Sequence, residues 1–161
     1  MTEKRQNLVG LLVKIPLFHG LGPDQCLQVL KISHQKSFKP GEKIYAAGTP
    51  GDEMLILLQG RVKILVRDNR EVAQVEAIDT VGEMEIIGAN LRVADVVADG
   101  EVSGLTVGEG VLDDLFHREP TLGIQLLRNI VSNLSGKLAA TDQTLAARLA
   151  HRSGTRVWMD R

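Results

Sequence analysis

The chain has 161 residues, 43% apolar and 24% charged, with a net charge of −1. These values fit one globular domain with room for one core, and the near-neutral balance excludes a general attraction to nucleic acid or anionic lipid. A single cysteine, Cys26, excludes a disulfide framework and points to a reducing compartment; in the helix-like stretch QCLQVL it reads as a small buried apolar residue rather than a reactive thiol.

The opening MTEKRQNLVGLLVKIPLF has the basic-then-apolar order of a signal peptide, but Lys14 interrupts the run, Pro16 ends it and no small-residue cleavage site follows. It reads as an amphipathic helix over residues 3–14 that packs Leu8, Leu11 and Leu12 on the body. No segment is long and apolar enough to span a bilayer, so the cytoplasm is the expected compartment and a membrane is not an expected partner. The whole of residues 1–34 is helical in pattern, broken at Pro16 and at Gly20-Leu21-Gly22-Pro23.

Residues 36–107 read as strands. SFKPGEKIYAAGTPGDEMLILLQGRVKILV consists of short β-rich runs between Pro40-Gly41, Gly48, Pro50-Gly51 and Gly60, all turn punctuators at close spacing. Within MLILLQGRVKILV, Gly60 predicts a tight hairpin. VAQVEAI and RVADVVADGEVSGLTV supply further strands. The pattern predicts an antiparallel barrel or jelly roll.

From residue 108 the pattern is helical again. Gly108 and Gly110 precede a short helix, VLDDLFH, and Pro120 suits the first turn of a long helix reaching about residue 150. Ile124, Leu127, Val131, Leu134, Leu138 and Leu145, with Thr141 filling the remaining place, alternate three and four apart, a coiled-coil seam. A helix this long overhangs a small barrel, so a second copy of the chain is the expected partner. Gly123 and Gly136 each weaken the helix by about 1 kcal/mol relative to alanine and allow close helix approach.

Catalytic and metal chemistry find little support. His19, His34, His117 and His151 show no ligand spacing, so no metal site is expected. No GxSxG elbow, P-loop or cysteine–histidine signature occurs, and the chain is not expected to be an enzyme.

VGEMEIIGANLRVADVVA, residues 81–98, places Glu83 and Glu85 in an otherwise apolar run, with Arg92 ahead of a small-residue strand. Gly82 permits close backbone approach, and the following turn offers free amides. Arg92, expected on the next strand, brings a planar five-donor fork suited to phosphate. Glu83 suits a ribose hydroxyl. Two readings stand on chemistry alone: an anion cradle, or acids near a helix start paired with an exposed arginine.

These residues resemble the cyclic nucleotide-binding domain family, found in catabolite activator proteins and protein kinase A regulatory subunits. FHGLGPDQCLQVL is similar to the family's helical lead-in, and FKPGEKIYAAGTPGDEMLILLQGRVKI to its first barrel strands. VGEMEIIGANLRVADVVA is similar to its phosphate-binding cassette, here residues 81–94. The resemblance implies a mainly β jelly-roll barrel with N-terminal helices and a long C-terminal helix, spanning residues 1–161 as one domain: lead-in 1–34, barrel 36–107, helices 108–150, tail 151–161. It also implies roles. Gly82 lies against the sugar-phosphate, Glu83 holds the ribose 2′-hydroxyl, and the Met84 amide lies near the phosphate. Arg92 pairs with the cyclic phosphate, and Ala94 is the small residue behind the cassette.

Four positions depart from the family pattern. Val81 replaces a common phenylalanine, and Leu91 a common proline. Val93 stands where a serine or threonine often contacts the ligand. Glu85 replaces a small residue whose amide faces the phosphate. Like charges about 4 Å apart repel by about 4 kcal/mol at an effective dielectric of about 20, a large part of a micromolar binding energy. Glu85 either repels a cyclic phosphate, pairs with Arg92 and favours a nucleoside or no ligand, or swings to solvent and leaves cAMP or cGMP able to bind. In the tail, Arg148, Arg152, Arg156 and Arg161 are mildly basic, and Trp158 is a candidate lid on a purine, the other reading being a poorly ordered terminus. Only about ten residues follow the long helix, so no direct DNA binding is expected. The sequence therefore predicts a ligand-sensing regulatory homodimer joined through residues 120–150. The alternative is a degenerate domain used for dimerisation or docking.

Overall fold

The computed structural model describes residues 3–88 and 90–154. Helix α1 (Glu3–Leu12) ends two residues earlier than predicted. Its core contact is Leu12, with Val9 beside it, while Leu8 and Leu11 are half-buried. Pro23 opens α2 (Pro23–Lys31), where a preset φ and a missing N–H cost nothing. The Gly22 amide, one of the helix's orphan donors, donates to Gln25 Oε1 at 3.0 Å. Cys26 is buried on this helix, and desolvation pushes its thiol pKa up, as an inert core position requires.

Eight strands follow: β1 (His34–Phe38), β2 (Lys43–Tyr45), β3 (Glu53–Gln59), β4 (Arg61–Val66), β5 (Arg70–Glu76), β6 (Asp79–Val81), β7 (Asp95–Ala98) and β8 (Val102–Gly108). They form two four-stranded antiparallel sheets, ordered β1-β8-β3-β6 and β2-β7-β4-β5. The expected hairpin at Gly60 does not form. β3 and β4 belong to different sheets, and Gly60 is the corner between them. It has φ +92, and an added Cβ would strike the Glu101 carbonyl, so the glycine is there for close approach as well as turning. The hairpin lies one strand later, between β4 and β5, where Asp68 and Asn69 both take positive φ. That pair of left-handed residues gives the twist a two-stranded turn needs.

Strand β3 is buried on both faces, as its unbroken apolar run MLILL predicts. Met54 and Ile56 face the helices, joining Leu12, Phe18, Val29 and Leu122. Leu55 and Leu57 face the second sheet, joining Tyr45, Val62 and Val96. This doubly buried strand is the partition between two cores.

Two helices complete the described residues. Helix α4 (Glu109–Arg118) starts earlier than predicted and includes Gly110. Helix α5 (Pro120–Gly154) has 35 residues, about 52 Å at about 1.5 Å per residue, and neither Gly123 nor Gly136 interrupts it. An added Cβ on Gly123 would lie 3.1 Å from Phe116, so this glycine sets the approach of α4 to α5, whereas Gly136 faces open space. Asn129 Nδ2 donates to the carbonyls of Leu17 and His19, both at 2.7 Å, tying the first half of α5 to the N-terminal turn.

The predicted seam divides between two surroundings. Leu134 packs against the core, and Leu127 joins it in lining a groove. Ile124, Val131, Leu138 and Leu145, each seven residues from the next, are exposed, Val131 by 62% and Leu138 by 64%. The side chains of Thr141 and Arg152, and residues Arg156, Trp158 and Arg161, lie outside the described residues.

Two glycine substitutions separate packing from propensity. Gly104→Ala drives a Cβ into the Ile56 carbonyl and should lower stability by about 1–3 kcal/mol in urea unfolding. Gly136→Ala meets nothing and should raise stability by about 1 kcal/mol.

Candidate ligand-binding site

Strand β6 delivers the chain to Gly82, and α3 (Glu83–Gly88) follows at once. Gly82 has φ +86; an added Cβ would collide with Arg92 Nη1 and lie 3.3 Å from Tyr45 Cε2. Helix α3 is anchored by Ile86, which belongs to the helix-side core. Beyond it, the chain is clamped to the loop between β2 and β3. The Arg92 amide donates to the Thr49 carbonyl and the Gly48 amide to the Arg92 carbonyl, both at 2.8 Å, and the Gly51 amide donates to the Asn90 carbonyl at 3.1 Å. Gly51 is indispensable here, because a Cβ would strike Glu85 Cβ and lie 2.9 Å from the Asn90 oxygen. Asp95 extends the clamp. It pairs with Lys43 at 2.7 Å and accepts from the Ala47 amide at 2.7 Å, and these bonds, Lys43's first, hold its carboxyl below the usual range.

Arg92 is therefore in a loop three residues before β7, not on the strand as expected, and it is not an exposed rim residue: only 4% of it is accessible. Its guanidinium carbon lies 3.7 Å from the Tyr45 ring centroid, and Nη2 donates to the Glu53 carbonyl. The Glu85 carboxylate stands 3.8 Å from Nη1, close enough for charge attraction but without a hydrogen bond. Nε and Nη1 are both buried and have no hydrogen-bond partner among the described residues. A fixed cation with two such donors is able to donate to an anionic oxygen. Tyr45 is itself buried; desolvation, reinforced by the charge of Glu53, raises its phenol pKa against the pull of Arg92, so the hydroxyl stays protonated.

Gly82, Glu85 and Arg92 are brought together, with Glu83 buried at the start of α3 and Ala94 buried behind the loop. The side chains of Met84 and Val93 are not part of this cluster. They are 46% and 80% exposed and line a 540 Å³ groove with Leu127, Val131 and Leu134 of α5. The sequence reading missed Tyr45 and the Glu53 carbonyl. Tyr45 lies 47 positions from Arg92 in the sequence, and its ring meets the guanidinium through the pairing of β2 with β7 and the loop hydrogen bonds of Arg92 to Gly48 and Thr49.

The sequence profile of the family described as "Cyclic nucleotide-binding domain" matches residues 35–119. The chain belongs to this family. It is 28% identical over 140 residues to a CRP-like cAMP-activated global transcriptional regulator of Mycobacterium tuberculosis, a match covering 84% of this chain and 61% of the regulator. It also matches Glutaminase 2 of Bradyrhizobium diazoefficiens, 27% identical, over 78% of this chain and only 20% of the glutaminase. Among solved structures, the N-terminal domain of a transcriptional regulator from Streptomyces coelicolor superposes with a TM-score of 0.70 at 27% identity, covering 79% of this chain and 94% of that one. The regulatory subunit of a cAMP-independent protein kinase A from Trypanosoma brucei gives 0.61 at 29% identity, covering 71% and 46%.

Gly82→Ala should be among the most damaging small substitutions in this region. It forces an L-residue to positive φ and pushes the guanidinium from its seat. A loss of at least about 1–2 kcal/mol is expected in thermal unfolding, and Val93→Ala, on an exposed residue, should change stability by less than about 0.5 kcal/mol.

Proposed function

We propose that the chain is a regulatory ligand-sensing domain whose anion-recognition residue is Arg92 and whose response to cyclic nucleotides is restrained by Glu85. The observation that carries this is the buried Arg92 guanidinium with two nitrogens lacking acceptors. Leaving such donors unpaired costs about 1–3 kcal/mol each, which a bound phosphate oxygen recovers. Glu85, 3.8 Å from Nη1, places a negative charge beside the same position and weakens that recovery. The ligand class is a purine cyclic nucleotide, or a related nucleotide or nucleoside for which Glu85 is less of an obstacle. The chain is read as non-enzymatic.

A variant of the Trypanosoma brucei subunit supports this. In it a glutamate becomes alanine, a threonine seven residues on becomes arginine and the next valine becomes alanine, and that variant is bound to cAMP in the A site. Glu85, Arg92 and Val93 have the same spacing. This chain thus has the arginine while retaining the glutamate and the valine.

Calorimetric titration with cAMP tests the reading. Wild type should bind weakly or undetectably, and Glu85→Ala should bind at least about tenfold tighter, given a repulsion of a few kcal/mol. Arg92→Ala in the Glu85→Ala background should abolish binding. Tight wild-type binding that Glu85→Ala weakens would make Glu85 a ligand contact. Absence of binding in every form would favour a docking role.

A second observation supports self-association. Beyond Leu134 the side chains described on α5 are exposed, yet the row of apolar residues continues through Leu138, Leu145 and Leu149. An unsupported helix of this kind is marginal in water, and a second copy of α5 laid along the row would cover it. Leu134 is a poor probe because it packs on the core. Val131→Glu with Leu138→Glu should convert a dimer to a monomer in light scattering; a monomeric wild type would refute the arrangement.

A further inference from the structure

We propose that Tyr45 is a second recognition residue of the Arg92 site, its ring supporting the guanidinium and its hydroxyl donating to the phosphate that Arg92 binds. This rests on the anion-sensing reading above. Three atoms carry it. Tyr45 Oη, Arg92 Nε and Arg92 Nη1 are each buried without a hydrogen-bond partner among the described residues, and they belong to two side chains in direct contact, 3.7 Å from guanidinium carbon to ring centroid. Buried polar atoms without partners are rare in folded proteins, so three in one contact need a common explanation. An anionic oxygen, with several lone pairs, accepts from Tyr45 Oη and from one of the two guanidinium nitrogens, which face different edges of the group, and charge-assisted bonds of this kind are the strong ones.

The placement agrees. Tyr45 is on β2, held opposite Val96 of β7, and its ring edge lies 3.3 Å from where a Cβ on Gly82 would be. It therefore borders the glycine that opens the cassette. Thr80 Oγ1 is also buried and unpaired, but it does not join the cluster. Thr80 lies across from Ile56, which faces the helix-side core, whereas Tyr45 faces the core between the sheets. The phenol is protonated because burial and the charge of Glu53 outweigh the pull of Arg92, so its O–H is available to donate to a phosphate oxygen.

Tyr45 is the sole tyrosine of the chain, so ring-labelled tyrosine gives one assignable set of NMR signals. In the Glu85→Ala protein, titration with cAMP should shift those signals. Adding Tyr45→Phe, which keeps the ring and removes the hydroxyl, should weaken cAMP binding about five- to tenfold with an unchanged melting temperature. Affinity for adenosine, which has no phosphate, should show no comparable loss. If the Glu85→Ala protein binds cAMP while the Tyr45 signals stay fixed and Tyr45→Phe binds as tightly, Tyr45 is core only and the sensing role of Arg92 stands alone. Equal losses for cAMP and adenosine would likewise assign Tyr45 a structural role. If the Glu85→Ala protein binds no cAMP, the anion-sensing reading fails and the Tyr45 assignment falls with it.

Discussion

The guanidinium of Arg92 lies over the ring of Tyr45 because Gly82 has no side chain. Any Cβ at that position would occupy the space of Nη1. A charged group so deeply buried has to be held by charge and geometry, since its desolvation is costly. Here the ring face of Tyr45, the Glu53 carbonyl and the nearby Glu85 carboxylate share that task, and none comes from the same element as another. The cassette therefore depends on contacts from both sheets, and its loop is fixed by backbone hydrogen bonds to residues 48–51 rather than by its own secondary structure.

The same economy explains the partition at β3. A strand buried on both faces lets one sheet serve two cores, one shared with the helices and one with the second sheet. Ile86 of α3 enters the first and Tyr45 the second. The candidate site lies where these cores meet.

Helix α5 has two different halves. The first is fixed by core leucines and by Asn129 on the N-terminal turn. The second carries apolar side chains, among them Leu138 and Leu145, that are exposed. Met84 and Val93 of the cassette share a groove with Leu127 and Leu134 of the first half. The outer face of the cassette is thereby continuous with the helix face that the seam presents.

Much of this was legible in the sequence. Short runs between glycines and prolines marked the strands, because turns at that spacing leave no room for helices. Pro120 marked a helix start, since a missing N–H is harmless in the first turn. The order glycine, glutamate, short helix, arginine marked the cassette, and burial of Cys26 followed from its apolar helical setting. The tertiary structure alone decided which strands pair. Gly60 looks locally like a hairpin and is a corner, because the backbone at Glu101, 41 residues away, occupies the space beside it. It also decided that Arg92 is inside. A sequence shows a charge and predicts exposure, but burial is set by what arrives from elsewhere in the chain. Tyr45, Glu53 and Gly82 reach Arg92 through strand pairing and loop contacts that no local pattern encodes.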